Sequence, residues 1–510
     1  MECRTVSRQK ALHWMLFLSV FLFAAVYFLD CRPLILDNGD DWTYAAFTRS
    51  ALPQWKGWNP GKVFPEVFLP LCAQFAVSFV KPLCGDYIWS ISLTAGVVIS
   101  LMIALYVHLF ARLMQRVMKS GTGAAVLAAA AFFLFHFKSW MSPWIPGRHL
   151  FYSLDLNNTF NYVVPGLLNA ILMLYLAQRS CGSEGLNGQP AAVQGVMLLL
   201  VYLAVFSNMF LNCILAVYAG VCLLENLFAA IRKKETIRNV LSGNLLNICI
   251  LVLWCVCAFF ELSGGRAGSV SGGVSTRIDS LKASVWAMLD TVELMDDFVF
   301  YGCIALVSAG LLALLASRGG CETDRAYGKL MLKHAVNCLL IMIYLLLLGS
   351  VAGAAYMYRV DILFAIMVHV LVMTFGSAAY ILKRFPRMKV IMPAAVFILG
   401  IEVMMGMNNF ELTNTGNTTQ HALDVNRNLV EQVVAADEQG LTEMTLIVPY
   451  TPTPDNFPYP TYMGGNMVRT LRQHRMIENI QTIHIQPDEN YHSRFGIAPG
   501  KNAYSHDESP

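Results

Sequence analysis

"ALHWMLFLSVFLFAAVYFL", Ala11 to Leu29, is the stretch whose reading decides the fold. It carries no Asp, Glu, Lys or Arg and comes close to the roughly 20 residues needed to cross a ~30 Å hydrocarbon core. It follows the basic "MECRTVSRQK", lacks an A-x-A cleavage pattern, and ends in "FLDC", where Asp30 spoils a lipobox. A retained signal-anchor is therefore expected rather than a cleaved leader.

The same apolar pattern recurs along the chain. Hydrophobic residues are 56% of the sequence, charged ones 14%, and mean hydropathy is +0.52, which excludes a string of soluble domains. About eleven transmembrane helices are predicted, at 11–29, 87–110, 123–137, 161–177, 193–206, 211–231, 240–260, 298–316, 334–350, 361–382 and 390–406. The basic residues then sort to one side: Arg4, Arg8 and Lys10; Arg112, Arg116 and Lys119; Arg232 to Arg238; Arg318 to Lys333; and Lys383 to Lys389. Lys and Arg stay cytoplasmic, so the N-terminus is expected inside and the C-terminus outside. Val63 to Val80 is apolar but holds Pro65, Glu66 and Pro70, and counting it as a span would invert that order. It is expected to be an interfacial or re-entrant helix on the outer face. The long block 193–231 is split at "SNMFLN", Ser207 to Asn212.

A net charge of +3 gives no reason to expect nucleic acid as a partner. The thirteen cysteines are scattered through apolar runs, as Cys255 and Cys257 are, and read as small hydrophobes. Residues 1–407 form the predicted membrane domain, with long outer loops at 30–86, 138–160 and 261–297. Residues 408–510 read as a small extracytoplasmic α/β appendage. Ala422, Val425, Leu429, Val433 and Ala436 mark one face of a helix ending at Gly440, and "MTLIV" and "IQTIHIQ" are strands flanking a helix near Asn466 to His474. Long loops concentrate on the outer side, and function is expected there.

Three outer stretches carry chemistry. "ILDNGDDWTY", Ile35 to Tyr44, holds Asp37, Asp40 and Asp41. Either of the last two can simply cap the helix starting at Trp42. Tyr44, Trp55 and Trp58 are suited to stacking on a sugar or to anchoring at the membrane interface, and Lys56 and Lys62 to an anionic headgroup. "DNGDD" is no calcium loop, because its glycine comes too early, and no metal-ligating set is predicted. The second stretch, Lys138 to Gly166, offers Arg148 and His149 as phosphate donors, then Asp155, Asn157, Asn158 and Asn161, with Asn208 and Asn212 at the same depth. Its plain alternative is an interfacial aromatic belt with snorkelling charges. In the third, Arg359 either pairs with Asp361 or faces a lipid-linked phosphate bidentately. There is no P-loop and no G-x-G-x-x-G after a strand, so a transferase of this build must take an activated, membrane-bound donor.

An N-in first helix, an acidic motif in a long first outer loop, about eleven spans and a soluble tail together resemble the GT-C class of polyprenyl-phosphate-sugar-dependent membrane glycosyltransferases. The chain is more narrowly similar to a group of bacterial membrane proteins with a D-D-x-x-Y first loop, here "DDWTY". Those proteins also carry an N-x-x-x-Y-x-x-P-like helix entrance and an "RN" tail helix, here "NTFNYVVPG" and "DVNRNLVEQVVAA". The resemblance implies a multi-pass protein of the bacterial cytoplasmic membrane. Its expected reaction is inverting transfer of a hexose or pentose from a polyprenyl-phosphate donor to an envelope glycan, lipid or protein acceptor. It implies Asp40 or Asp41 as base and Arg148 or Arg359 as donor-phosphate ligand, and a divalent cation can share the latter task. The string "DNGDD" departs from the D-E or E-x-D usual in that class. An envelope polysaccharide polymerase or ligase shares the chemistry. A secondary transporter is the non-enzyme alternative, with repeats and midplane charges as its expected signs.

Overall fold

The structure, a computed structural model, describes residues 2–141, 149–153, 155–179, 190–234, 236–266, 275–317, 320–407 and 419–492. Among them, nine helices are long and apolar enough to cross a membrane: Gln9–Cys31, Val63–Cys84, Tyr87–Val117, Leu156–Gln178, Met209–Lys233, Leu245–Leu262, Asp297–Ala316, Glu322–Ala352 and Val360–Arg384. Three shorter apolar helices are Thr122–Lys138, Ala191–Val205 and Met392–Gly406. Every predicted span falls on one of these twelve. The protein is a multi-pass helical membrane protein with a small α/β unit at its C-terminus.

Helix α1 (Glu2–Val26) runs antiparallel to the helix Tyr87–Val117. His13 bonds Gln115 at 2.8 Å near one end, and Gly96 meets Leu29 near the other, where a Cβ would lie 2.6 Å from the leucine methyl. The C-terminal end of α1 and the start of the second helix therefore share one end of the bundle, and the tail sits there. Arg427 pairs with Asp86 at 2.5 Å and His474 bonds the Tyr87 hydroxyl at 2.7 Å.

The twelfth helix, Val63–Cys84, begins and finishes at that same end. Its start is tied through Phe64 N–H to the Phe206 carbonyl at 2.8 Å, and Lys81 near its close lies 2.8 Å from the Met476 sulfur in the tail. A helix with both ends on one face runs across the bundle rather than through it. The chain turns at Phe206 to Asn208, overlapping the start of the predicted split, and Asn208 caps the next helix through Phe210 N–H.

One expectation is corrected. Loop 261–297 is not a loop throughout: Ser275–Glu293 is a helix packed on the helix Glu322–Ala352. Its buried face is Ser284, Ala287, Met288 and Thr291, at helical spacing but too small and polar to register as an apolar stripe.

The tail follows its predicted order. Helix Thr419–Glu438 buries all five expected residues and stops before Gly440, whose φ of +73° suits a glycine. Strand β1 (Glu443–Pro449) pairs in parallel with β2 (Thr482–Asp488), Leu446 opposite Ile485, with the helix Met463–Gln473 between them in sequence. A parallel pair needs such a crossover.

Candidate functional site

The acidic loop is built by Asn38. Its side-chain oxygen accepts from Asp40 N–H and Asp41 N–H, both at 2.9 Å, and so caps the short helix α2 (Gly39–Tyr44). Asp41 completes the capping box. One of its oxygens accepts from Asp37 N–H at 3.0 Å and Asn38 N–H at 3.3 Å, the other from Asn157 N–H at 2.6 Å. Asp41 is fully buried, and burial, then the charge of Asp155, holds its pKa well above the ordinary carboxylate value. With both oxygens committed to main chain, Asp41 shapes the loop and has no face for an acceptor.

Asp40 beside it is exposed and accepts a hydrogen bond from the Tyr462 hydroxyl at 3.2 Å. Asp37 is buried, receives Asn426 Nδ2 at 2.9 Å from the tail, and is pushed up to about 6 by burial.

The other predicted residues separate into those the fold consumes and those it leaves available. Asp155 caps the next helix, accepting from Asn158 N–H at 2.6 Å and Asn158 Nδ2 at 2.7 Å. Asn161 turns its amide back to Asn157, and Asn208 donates to the Asn161 carbonyl at 2.7 Å. Arg359 grips Asp361 with two bonds, 3.1 and 2.7 Å, reaches Asn158 at 3.3 Å and lies 3.9 Å over the Tyr162 ring. Of the two readings of Arg359, the geometry shows the intramolecular ion pair. His149 is fully buried: Nδ1 accepts from Phe151 N–H at 3.1 Å and Nε2 meets the Tyr27 hydroxyl at 2.6 Å. Burial pulls its pKa well below the ordinary value, so the imidazole is neutral and enclosed, unsuited to a phosphate. Arg148 lies outside the described residues. Trp58 is 60% exposed, and its carbonyl accepts from Arg266 N–H at 3.3 Å.

Lys62 stands in a different environment. It lines a cavity of about 360 Å³ whose polar end is formed by Asn59, Lys62, Tyr162, Asn208, Glu261 and Arg266. The rest is apolar, with Trp254 and Leu262 on one side and Leu347, Leu348 and Val351 on the other. Leu262, Leu347 and Val351 are 75%, 54% and 46% exposed, so these walls also face the bundle's exterior. The loop carrying Lys62 is pinned. Arg49 pairs with Glu66 at 3.0 Å, Asn59 Nδ2 donates to Glu66 at 3.1 Å, and Gly61 N–H donates to Glu261 at 2.6 Å.

Among the described residues, the Lys62 ammonium makes no hydrogen bond or salt bridge; the Tyr162 ring lies 5.5 Å away, and Glu66 and Glu261 attract it from longer range. Burial, reinforced by Arg266, pulls its pKa down to about 8. Arg266 donates to the Tyr356 hydroxyl at the cavity wall.

Tyr44 connects the two halves. Burial raises its phenol to about 12; Glu66 and Asp40 add to this while Arg266 opposes it, and Asn59 bonds it. Tyr44 is thus within electrostatic reach of Asp40 and bonded to Asn59 of the cavity's polar end. Asp40, Asp41 and Arg359 are not themselves among the lining residues. Among the described residues, no group of three or more His, Cys, Asp or Glu could hold a metal ion.

Five residues of this site were not singled out as candidates: Asn59 in "WNPGK"; Glu261, the only acid at the end of its span; Arg266 in a Gly-rich stretch; Tyr162 inside "NTFNYVVPG"; and Tyr462 in "PYPTYMGG". Only Glu261 gave a readable signal, as a carboxylate at a span terminus. No family model matches this chain, and no curated protein is similar to it.

Proposed function

We propose that this protein is a membrane glycosyltransferase that moves a sugar from a polyprenyl-phosphate donor to a hydroxyl of an envelope glycan, lipid or protein on the outer face of the bacterial cytoplasmic membrane. One observation carries the reading: among the described residues Lys62 makes no salt bridge, with Glu66 and Glu261 acting on it only at longer range, and it stands with Arg266 at the polar end of a cavity whose other walls are largely apolar and partly exposed on the bundle's exterior. That combination suits an amphiphile with an anionic head and an isoprenoid tail. A partly desolvated cation gains from a close counter-charge, and a lipid phosphate supplies one.

In the proposed reaction the acceptor oxygen attacks the anomeric carbon as the bond from that carbon to the phosphate oxygen breaks. The bonding electrons leave with the lipid phosphate, whose added charge Lys62 and Arg266 offset. The acceptor's proton passes to Asp40, the accessible carboxylate of the acidic loop. Asp41 holds the loop in shape, and Arg359 with Asp361 props Tyr162 at the cavity's rim.

The test is transfer in nanodiscs with a radiolabelled polyprenyl-phosphate sugar, beside a comparison of lipid-linked sugars in cells with and without the protein. Release of polyprenyl phosphate that requires both Lys62 and Asp40 supports the proposal. No consumption of any lipid-linked sugar in either experiment refutes it.

A secondary transporter is the second reading, favoured by a buried histidine pair between two spans, with a lysine–glutamate pair beside it that reaches the surface at Glu225. His334 and His369 meet at 2.9 Å, and neighbouring Lys333 pairs with Glu225 at 2.7 Å. Proton-driven uptake in liposomes without turnover of lipid-linked sugar would choose it.

A further inference from the structure

The short helix bearing Asp40 cannot stand alone. Six residues are too few for a stable helix in water, so packing must hold it. Much of the packing comes from the C-terminal unit, beside the bond from Asn157 N–H to Asp41. Gly39 N–H donates to the Pro458 carbonyl at 3.1 Å, and a Cβ on Gly39 would lie 2.7 Å from Pro460 and 2.9 Å from the Tyr462 ring. Thr470 donates to the Trp42 carbonyl at 2.6 Å, and Asn466 donates to the Thr43 hydroxyl at 2.5 Å. Phe47 N–H donates to Gln473 at 2.9 Å. Among the described residues, the hydrogen-bond partner of the Asp40 side chain is the Tyr462 hydroxyl.

We infer that the C-terminal α/β unit is a structural wall of the active site and that Tyr462 is the positioning residue for Asp40. The inference rests on the proposed transferase reading and assigns the tail a part in it. A carboxylate on an exposed helix turn samples several rotamers, and one directional donor selects among them. Tyr462 is suited to this. Gly39 lets its ring lie flush on the helix, Pro460 stiffens the approach, and burial followed by the charge of Asp40 raises the phenol's pKa, so it stays a donor. A general base must hold its oxygen within hydrogen-bond reach of the acceptor proton, and a displacement of about 1 Å is enough to cost catalysis heavily. Nearly half of Tyr462 remains exposed, which leaves the carboxylate's surroundings open to an acceptor.

Full-length protein in nanodiscs tests this with three variants. Tyr462→Phe keeps the ring on Gly39 and removes only the donor. Gln473→Ala loosens the same seam at Phe47 without touching Asp40. Asp40→Asn tests the reading beneath. Tyr462→Phe is expected to lower kcat about tenfold with donor KM within twofold of wild type, while Gln473→Ala, which only loosens the seam, lowers kcat by no more than about twofold and Asp40→Asn abolishes transfer. Wild-type kcat in Tyr462→Phe with an inactive Asp40→Asn overturns the positioning role alone. Equal losses in Tyr462→Phe and Gln473→Ala, together with lowered melting temperatures, also overturn it, because they show only a packing role. Full activity in Asp40→Asn removes the base assignment and the inference with it.

Discussion

Lys62→Met separates stability from function with opposite signs. Holding an ammonium whose ordinary pKa is 10.5 at about 8 costs the charged form about 3 kcal/mol, since each pKa unit is about 1.4 kcal/mol. The side chain is half-buried, and solvent screening brings the expected figure to about 1–2 kcal/mol. Between about pH 8 and 10.5 the unfolded chain holds a proton that the folded chain has lost, so wild-type stability rises with pH across that window. Lys62→Met should be more stable than wild type by about 1–2 kcal/mol near pH 7, and the difference should vanish toward pH 10.5.

Donor binding should move the other way. A charge-assisted hydrogen bond to phosphate is worth about 1.5–3 kcal/mol, so the same substitution should weaken donor affinity about ten- to a hundredfold. Wild-type affinity should fall as pH rises through about 8, while Lys62→Arg, which keeps its charge, should stay flat. The assays are chemical unfolding in detergent and displacement of labelled polyprenyl-phosphate sugar in nanodiscs between pH 6.5 and 9.5. Unaltered affinity in Lys62→Met, or a wild-type affinity independent of pH, refutes the assignment of Lys62 to the phosphate.

Asp41→Asn should destabilise the fold by about 2–3 kcal/mol in a melting experiment, because an amide cannot accept from all three backbone donors that Asp41 now satisfies; melting equal to wild type would remove its structural role. Arg359→Lys should also lower the melting temperature, losing the two-point grip on Asp361 and the Tyr162 contact, with a smaller effect on donor affinity than Lys62→Met; the reverse ranking would return the phosphate to Arg359. Asp37 is held up to about 6 by burial, so the folded state binds an extra proton between about pH 4 and 6. Tail docking should weaken as pH rises through that window, and hydrogen exchange in the helix Thr419–Glu438 should show this in wild type but not in Asp37→Asn. Cysteine labelling should find Glu443 and Lys234 on opposite sides of the membrane; labelling from the same side would sink the predicted orientation.

Much of the architecture was legible without coordinates. Apolar length is a local property, so Ala11 to Leu29 and its counterparts appear as helices wherever predicted, and period and turn chemistry marked both tail strands and the stop at Gly440. The helix Ser275–Glu293 escaped because its buried face of Ser284, Ala287 and Thr291 has little hydrophobicity to reveal. Residue type likewise brought Asp37, Asp40, Asp41, Lys62 and Arg359 into view as candidates. It could not divide them, because a carboxylate's role depends on what occupies its oxygens. Asp41 and Asp40 are neighbours in the chain, yet one is enclosed by three backbone amides and the other meets Tyr462, more than four hundred residues away. Arg359 and Lys62 divide in the same way, one neutralised by Asp361 two residues on, the other left facing a cavity completed by Glu261 and Arg266 from a distant helix end. Pairing and desolvation are set by partners that only the folded chain brings together, and they determine which charges remain for chemistry.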